Sequence, residues 1–540
     1  MPARSPATPE FRRWLVAWLF FTAVGSLWAL ATPVMGVPDE PAHTLYAAGA
    51  VRGEVWEETS GPQTQVTVPA GWANVDEVPA CYAFQPNVTP ACSPALTGAP
   101  GSAEVSTTAG RYPPAYYFYA GLPTLVTDGA QAVYLMRGLT AALVGALLAS
   151  GFCSVLSLPR RLLPVLGFTL ATTPMLFFFA GAVNPQAPEI AAAICLWASG
   201  GVLLRRLAEH PGEDLTWANP HLRRVIAAVA TLTVIRPLSL LWLALIVGTL
   251  LVVFSPRTTV PRLLRSRAIL TALPVLVLTT GSTLAWILLR DALGQQDVTT
   301  FADLSAPQAL ARSVAKLDDE FAQMVGHFGW LDSPAPGWAV VVWTLALGAL
   351  AALALPFLGR LQRMALVAVA VAVLVLPVVL EVTSYRESAF AWQGRYTLPI
   401  AVGVPILLGL IPGAHHGNRE VRAAPPAGTG HATAVIAGVV SVHVVSFVGA
   451  LNRNVHGIDG FWGITPASWQ PPSTAWVLIP VFVAVIGAGG WYVWRLATAG
   501  PAVSAGIGSG PDGERRSQMS RSTAAGSTAT GAAVPAKPVS

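Results

Sequence analysis

The sequence predicts an all-α membrane protein that crosses the bilayer many times. Of its 540 residues, 53% are hydrophobic and only 11% are charged, whereas a soluble domain usually carries about 25% charged residues. The apolar residues fall into runs of about 20, which is the length that an α-helix needs to cross the hydrocarbon core. The chain also has 18 Trp, a residue enriched where the bilayer meets water. We therefore expect lipid to surround most of the chain.

These runs predict twelve transmembrane helices. The first, residues 14–35, is longer than the apolar core of a signal peptide, so we interpret it as an uncleaved helix. The long run 225–254 has Arg on both flanks and is divided into two short helices at Arg236-Pro237, because proline interrupts a helix and both flanks belong in the cytoplasm. The other predicted spans are residues 132–156, 163–183, 188–204, 268–289, 338–357, 364–383, 397–411, 433–451 and 475–492.

The basic residues predict the orientation of these helices. With residues 1–13 in the cytoplasm, 22 of the 32 Lys and Arg lie on the cytoplasmic side, as the positive-inside rule requires. Residues 14–495 then form the transmembrane domain. It includes a large first external loop with short helices and an interfacial segment (36–131), and a second external loop (290–337). Residues 496–540 are rich in Ser, Thr, Ala, Gly and Pro, which predicts a disordered cytoplasmic tail.

Composition narrows the location and the class of function. Abundant Ala, Gly, Pro and Arg are typical of GC-rich bacteria, so we expect a bacterial plasma membrane with both termini in the cytoplasm. The sequence has no Walker motif or dinucleotide fingerprint, and no nucleic-acid partner is expected. Acidic residues are concentrated on the external side, so carboxylate chemistry is expected there. In the first external loop, Cys81 and Cys92 are expected to form a disulfide if that loop lies outside the cell.

Asp39, Glu40 and His43 are the first candidate site, directly after the first predicted span. Carboxylates at the start of a helix are stabilised by its dipole, and Pro41 suits the first turn. An acidic helix cap would explain this pattern without any function. The functional interpretation is a general base, or a divalent metal ion held by Asp39 and Glu40, at a membrane edge that can shift a carboxyl pKa.

Five further clusters fall on the same external face. Arg236 lies between two apolar helices, where arginine is costly unless it pairs, meets water or snorkels to the interface, and its guanidinium suits phosphate. Aromatic belts and helix caps are the alternative explanations for the others. The five are Arg111–Tyr117, Asn184-Pro185-Gln186 with Glu189, Arg236, His327–Asp332 and Trp392–Tyr396. Each is a weak indication alone, and their agreement on one face is the stronger observation.

In this order the segments resemble a bacterial membrane-protein family known as domain of unknown function 2142. The resemblance covers about residues 14–490, and its most specific parts are Pro38-Asp39-Glu40-Pro41-Ala42-His43 and Gln393-Gly394-Arg395-Tyr396. That family is similar to the GT-C glycosyltransferases, which take sugar from a polyprenyl-phosphate carrier and place an acidic pair in their first external loop. The resemblance therefore implies a GT-C-like fold. This sequence departs from the mannosyltransferase type at one position. That type often has His or Lys directly before its Pro-Pro pair, whereas Tyr112 precedes the pair here and Arg111 precedes Tyr112.

The resemblance implies a glycosyltransferase that moves sugar from a polyprenyl-phosphate donor to an envelope glycan, glycolipid or protein on the external face. Asp39 or Glu40 would be the catalytic base or a metal ligand, with His43 beside them. Candidate contacts to the substrate or the lipid phosphate are Arg111, Tyr112, Tyr116, Asn184, Arg236, Asp332, Arg395 and Tyr396. The resemblance specifies no cofactor, and a divalent metal ion bound by Asp39 and Glu40 remains an alternative.

Two other classes of function remain open. A transporter or flippase of lipid-linked glycans would place polar residues near the bilayer midplane and contain internal repeats. We find no repeat, and the ionisable residues gather at the external surface. A non-catalytic envelope-assembly protein would tolerate changes at Asp39 and Glu40.

Overall fold

A computed structural model of the protein describes residues 9–56, 63–210, 212–255, 259–290, 292, 301, 303–412 and 429–498. Most of the predicted cytoplasmic tail, the first eight residues and part of the predicted second external loop lie outside these ranges. Within them the protein is mostly α-helical, as the sequence predicts.

The described helices follow the predicted order along the chain. They are α1 (Pro9–Ala31), α2 (Glu40–Ala50), α3 (Ala115–Ala120), α4 (Gly129–Leu156), α5 (Leu162–Ala171), α6 (Pro174–Ala180), α7 (Gln186–Glu209), α8 (Pro220–Ile235), α9 (Ser239–Phe254), α10 (Thr259–Arg265), α11 (Arg267–Leu289), α12 (Ala306–Ala315), α13 (Leu317–Gly326), α14 (Gly337–Ala354), α15 (Arg360–Ser388), α16 (Gly394–Ala401), α17 (Gly403–Leu410), α18 (Thr429–His456) and α19 (Ala475–Thr498). Each predicted span overlaps at least one of these helices.

Among the described helices, eight are long and apolar enough to cross a membrane: α1, α4, α7, α11, α14, α15, α18 and α19. α5 and α6 form a ninth candidate that bends by 55°. The chain is therefore a multi-pass membrane protein, while the number twelve stays a prediction. The other three predicted spans correspond to shorter helices: α8 and α9 have 16 residues each on either side of Arg236-Pro237, and α16 and α17 have 8 residues each.

α7 is the central helix of the bundle. Its most apolar window is entirely buried, whereas only 17% of the corresponding window in α11 is buried. α1 packs on α4, which packs on α7, and α7 in turn packs on α8 and α9. The helix that carries Glu189 is thus shielded by protein on all sides, while α11 presents Leu278 and Leu288 to the surroundings.

The predicted first external loop folds over the end of the bundle. Strands β1 (Thr64–Pro69) and β2 (Ser102–Thr107) pair antiparallel, and α2 packs against β1. A disulfide joins Cys81 to Cys92. The predicted interfacial segment contains α3 and a 3₁₀ turn at Leu122–Leu125, and neither element is long enough to cross a bilayer.

One buried arginine of α18 holds the part of this loop that carries the disulfide. The guanidinium of Arg453 donates hydrogen bonds to the carbonyl oxygens of Tyr82 (2.9 Å), Gln85 (3.2 Å) and Val88 (3.1 Å). It also forms an ion pair with Asp332, which follows the short strand β3 (His327–Phe328) paired with β4 (Ser333–Pro334). Arg453 therefore links the predicted first external loop to the predicted second one.

A second buried arginine, Arg137 of α4, fixes the start of α2. Its Nε and Nη2 donate to the two carboxylate oxygens of Glu40 at 2.7 and 2.6 Å, and neither side chain is exposed. Glu40 also accepts a hydrogen bond from the backbone N–H of Val183 at 3.0 Å. The remaining N–H groups of Arg137 donate to the carbonyl oxygens of Ala29, Thr32 and Pro33. All five donors of the guanidinium are thus used.

Lys316 joins two buried carboxylates beside the helix that carries Arg395. Its Nζ lies 2.6 Å from Oε1 of Glu381 on α15 and 3.8 Å from Oε1 of Glu320 on α13. Burial raises the pKa of Glu320 to about 7, although the positive charge of Lys316 opposes this rise. α13, which carries Glu320, packs against α16, which carries Arg395. The titratable Glu320 therefore lies on a helix that contacts the helix of Arg395.

The Glu40–Arg137 pair predicts a large loss of stability when one partner is removed. Replacing Glu40 by Gln leaves a charged arginine in a dry site, which costs roughly 3–5 kcal/mol. We expect a clear fall in the thermal unfolding midpoint of the purified protein in detergent. Glu209→Gln is the control, because its pair with Arg205 is partly exposed and contributes about 0.3–0.5 kcal/mol. Equal midpoints for the two variants would contradict a structural role for Glu40.

The raised pKa of Glu320 predicts pH-dependent stability. Since the folded pKa of about 7 lies above the ordinary value of 4.5, the contribution of Glu320 to stability should be fully present below pH 4.5 and be lost as the pH rises through 7. We expect Glu320→Gln to remove this fall, which is on the order of 1–2 kcal/mol. Unfolding midpoints at pH 5 and pH 8 measure it. Exposed Asp318→Asn is the control, and an unchanged pH profile in Glu320→Gln would contradict the assignment.

Candidate functional site

Asp39 lies at the turn between α1 and α2, at the end of the bundle that the sequence predicts to be external. Its backbone is left-handed, with φ 66°, a conformation that Asp tolerates better than most residues. The side chain is 53% exposed, and Oδ2 lies 2.7 Å from Nη2 of Arg395. Glu40 points the other way, into its buried pair with Arg137. The two adjacent carboxylates therefore have different surroundings, since Glu40 is buried and Asp39 is exposed.

Arg395 is a buried cation with spare hydrogen-bonding capacity. Its side chain is fully buried, and its guanidinium lies 4.7 Å from the centre of the Phe179 ring and 5.0 Å from that of Tyr396. Nη2 also donates to the hydroxyl of Tyr396 at 3.0 Å. Among the described residues, Nε and Nη1 have no hydrogen-bond partner. A buried donor without a partner is costly, so these two nitrogens mark a place suited to an acceptor atom.

A second cation, Arg236, also lies against the Tyr396 ring. The backbone of Arg236 is extended between α8 and α9, and its guanidinium lies 5.2 Å from the Tyr396 ring and 5.6 Å from the Tyr112 ring. Nη1 donates to Oε2 of Glu189 at 2.7 Å, and the Ser239 hydroxyl donates to Oε1 at 2.6 Å. Glu189 thus fixes the orientation of Arg236 from inside the bundle. Both guanidinium groups therefore contact the same aromatic ring.

His43 forms an uncharged wall of the same site. Its Nδ1 lies 2.8 Å from the hydroxyl of Tyr117, and its ring packs edge-on against Tyr112. Burial lowers the pKa of His43 to about 3, although Asp39 opposes this shift. Burial also raises the pKa of Tyr112. At neutral pH His43 is therefore uncharged and Tyr112 is protonated. The charged side chains of the site are those of Asp39, Glu189, Arg236 and Arg395.

Two other predicted contacts, Asn184 and Tyr116, lie beneath this site and bind other protein groups. The Asn184 amide donates to the carbonyl of Pro38 at 3.4 Å and accepts from the backbone N–H of Gln186 at 2.9 Å. The hydroxyl of Tyr116 lies 2.9 Å from that of Thr140. Asn184 therefore supports the turn that carries Asp39.

Two further predicted contacts, Arg111 and Asp332, lie in other contacts of the protein. The carbonyl of Arg111 accepts a hydrogen bond from the indole of Trp286 at 3.2 Å, whereas Asp332 forms the ion pair with Arg453. The structure brings Asp39, His43, Tyr112, Arg236, Arg395 and Tyr396 together, and it gives Glu40 and Asp332 buried arginine partners instead.

Two residues of this arrangement, Arg137 and Phe179, were absent from the candidate clusters, whereas Glu189 was among them. Arg137 and Glu189 lie on predicted membrane helices, where an ionisable residue is costly and usually has a partner or a role. That rule drew attention to Glu189, and applied to Arg137 it would have indicated a buried carboxylate nearby. Phe179 carried no sequence signal, because one aromatic residue in an apolar run is indistinguishable from core.

The geometry does not suit a metal ion shared by Asp39 and Glu40. Both oxygens of Glu40 accept hydrogen bonds from Arg137, and Asp39 is paired with a cation of its own. Within the described ranges, no group of three or more His, Cys, Asp or Glu side chains is arranged to hold a metal. The residues that surround Asp39 are instead those of an anion site.

Comparison with known proteins identifies a family. A family model described as a predicted membrane protein, domain of unknown function 2142, matches residues 20–404. The match begins within α1 and ends within α17, so it includes both Asp39 and Arg395. No curated protein and no solved structure matches the chain. The chain belongs to the domain of unknown function 2142 family of membrane proteins.

Proposed function

We propose that the protein is a glycosyltransferase that moves sugar from a polyprenyl-phosphate donor to an envelope acceptor at the external face of a bacterial plasma membrane. The observation that supports this most is the pairing of half-exposed Asp39 with buried Arg395, whose Nε and Nη1 lack partners. A candidate base and a candidate anion site are thus side by side. They lie at the end of a multi-pass bundle, where a lipid-linked substrate can enter sideways.

The two arginines suit the phosphate of such a donor. A guanidinium presents N–H groups in a planar fork that matches phosphate oxygens, and burial strengthens the attraction because the local dielectric is low. Arg395 supplies the unpartnered nitrogens, and Arg236, held by Glu189, supplies a second positive charge beside Tyr396. Together they would stabilise the charge that develops on the departing phosphate.

The proposed reaction is a single displacement. The acceptor hydroxyl oxygen forms a bond with the anomeric carbon as the bond from that carbon to the phosphate oxygen breaks. The acceptor proton passes to Asp39, and polyprenyl phosphate leaves with the electron pair of the broken bond. Phosphate bound to Arg395 competes with Asp39 for that cation, which frees the carboxylate to act as the base. One displacement inverts the configuration of the anomeric carbon.

His43 and Tyr112 would shape the site without exchanging protons near neutral pH. Both are buried in their uncharged forms. They exclude water from one side of the arginines, which favours transfer to the acceptor over hydrolysis.

Replacing Asp39 by Asn tests the base. We expect roughly 100- to 10,000-fold loss of transfer, the usual contribution of a general base, with a normal amount of protein in the membrane. The measurement is the composition of envelope glycans in a strain that lacks the chain and carries each variant. Glu77→Gln, an exposed acid of the same external loop, is the control. Normal glycans with Asp39→Asn, alongside a defect in the deletion strain, would refute the transferase and favour transport or assembly.

Replacing Arg395 by Gln tests the phosphate site without requiring the acceptor. We expect the Kd for undecaprenyl phosphate, titrated into the purified protein in detergent, to rise roughly 10- to 100-fold, since a hydrogen bond to a charged group contributes about 1.5–3 kcal/mol. Arg395→Lys keeps the charge but loses the planar fork, so it should lie between Gln and wild type. Exposed Arg312→Gln is the control. Equal affinity in wild type and Arg395→Gln would contradict this role.

A further inference from the structure

We infer a second binding site, for the headgroup of an anionic phospholipid, at the opposite end of the bundle from Asp39. It does not depend on the proposed transferase. A cavity of about 210 Å³ opens there between the ends of α1, α4, α7 and α8. This is the arginine-rich end, which the positive-inside rule assigns to the cytoplasm.

Basic side chains from three helices converge on this cavity. Arg13 of α1 and Arg206 of α7 line it together with Glu10. Arg224 of α8 donates to the Glu10 carboxylate at 2.7 Å and so neutralises it. Within the described part of the chain, neither Arg13 nor Arg206 forms an ion pair. The cavity therefore carries two arginine charges that no carboxylate balances.

The inner wall of the cavity is a buried polar network that the proposed reaction does not use. His221, which is 1% exposed, has its Nδ1 3.0 Å from the hydroxyl of Ser154. The same hydroxyl lies 2.9 Å from that of Ser199 and accepts from Nη1 of Arg224 at 3.2 Å. Groups from α4, α7 and α8 are thus tied together behind the cavity. The network keeps the arginine-bearing helix ends at a fixed spacing.

Charge and position identify the occupant. The cavity lies where candidate membrane helices end, which is where lipid headgroups are expected, and Leu156 and Cys153 give it an apolar floor. Basic pockets between membrane helices on the cytoplasmic side suit anionic lipid headgroups. Guanidinium groups bind phosphate oxygens directly, and two unbalanced charges favour a lipid with net negative charge over a zwitterionic one. We therefore assign the site to an anionic phospholipid such as phosphatidylglycerol.

Native mass spectrometry of the full chain, titrated with phosphatidylglycerol or phosphatidylcholine, tests this assignment. We expect wild type to retain phosphatidylglycerol preferentially. Arg13→Gln and Arg206→Gln should each weaken its binding roughly 5-fold, and the double variant roughly 25-fold, since each arginine near a membrane surface contributes about 1 kcal/mol, which is a factor of about 5 in affinity. Arg13→Lys and Arg206→Lys keep the charge and should retain most of the binding.

Arg160→Gln is the matched control, because Arg160 is exposed at the same end of the bundle and does not line the cavity. Equal loss of lipid in Arg160→Gln and Arg206→Gln would show a diffuse attraction and overturn the site. Unchanged binding in the double variant would overturn it as well. Displacement of the lipid by excess inorganic phosphate would assign the cavity to a free anion, whereas retention supports the phospholipid. Arg13 is exposed, so its substitution leaves the fold intact even if that of Arg206 does not.

Discussion

The buried pair between Glu40 and Arg137 is the interaction on which the external end of the protein depends. Arg137 donates to three carbonyl oxygens at the end of α1 as well as to Glu40, so one side chain joins α4, the end of α1 and the start of α2. Asp39 is the residue immediately before Glu40. Its carboxylate is directed outward because its neighbour is held inward, and the left-handed backbone at Asp39 allows the two to diverge.

Charge is arranged in two layers around this anchor. The deeper carboxylates, Glu40 and Glu189, each hold an arginine, and Asp39 lies nearer the surface beside Arg395. Arg395 differs from Arg137 in one respect that bears on function. Every donor of Arg137 is satisfied, whereas two buried nitrogens of Arg395 are not. A fully satisfied guanidinium holds the fold together, while an unsatisfied one is prepared for a ligand.

The sequence predicted the membrane class, the order of the helices and the break at Arg236-Pro237, because apolar length and proline are local signals. It also indicated which external segments meet, through charged and aromatic residues in unexpected places. It did not separate the roles of Asp39 and Glu40, since adjacency in sequence says nothing about which carboxylate finds a buried arginine 97 residues away. The number of spans likewise depends on how short helices such as α8 and α9 sit in lipid, and their lengths do not determine that.

The hydrogen bonds of Arg453 have a consequence for how the protein can vary. This arginine holds the loop from Tyr82 to Val88 through three backbone carbonyls, and every residue type offers a carbonyl. The position of the loop is therefore independent of most of its side chains. Phe84 is 67% exposed and packs edge-on against Trp330. The three carbonyl oxygens that hold this part of the loop belong to other residues, so a substitution of Phe84 would leave them unchanged. Substitutions in this part of the loop would thus leave the charged residues beneath it in place.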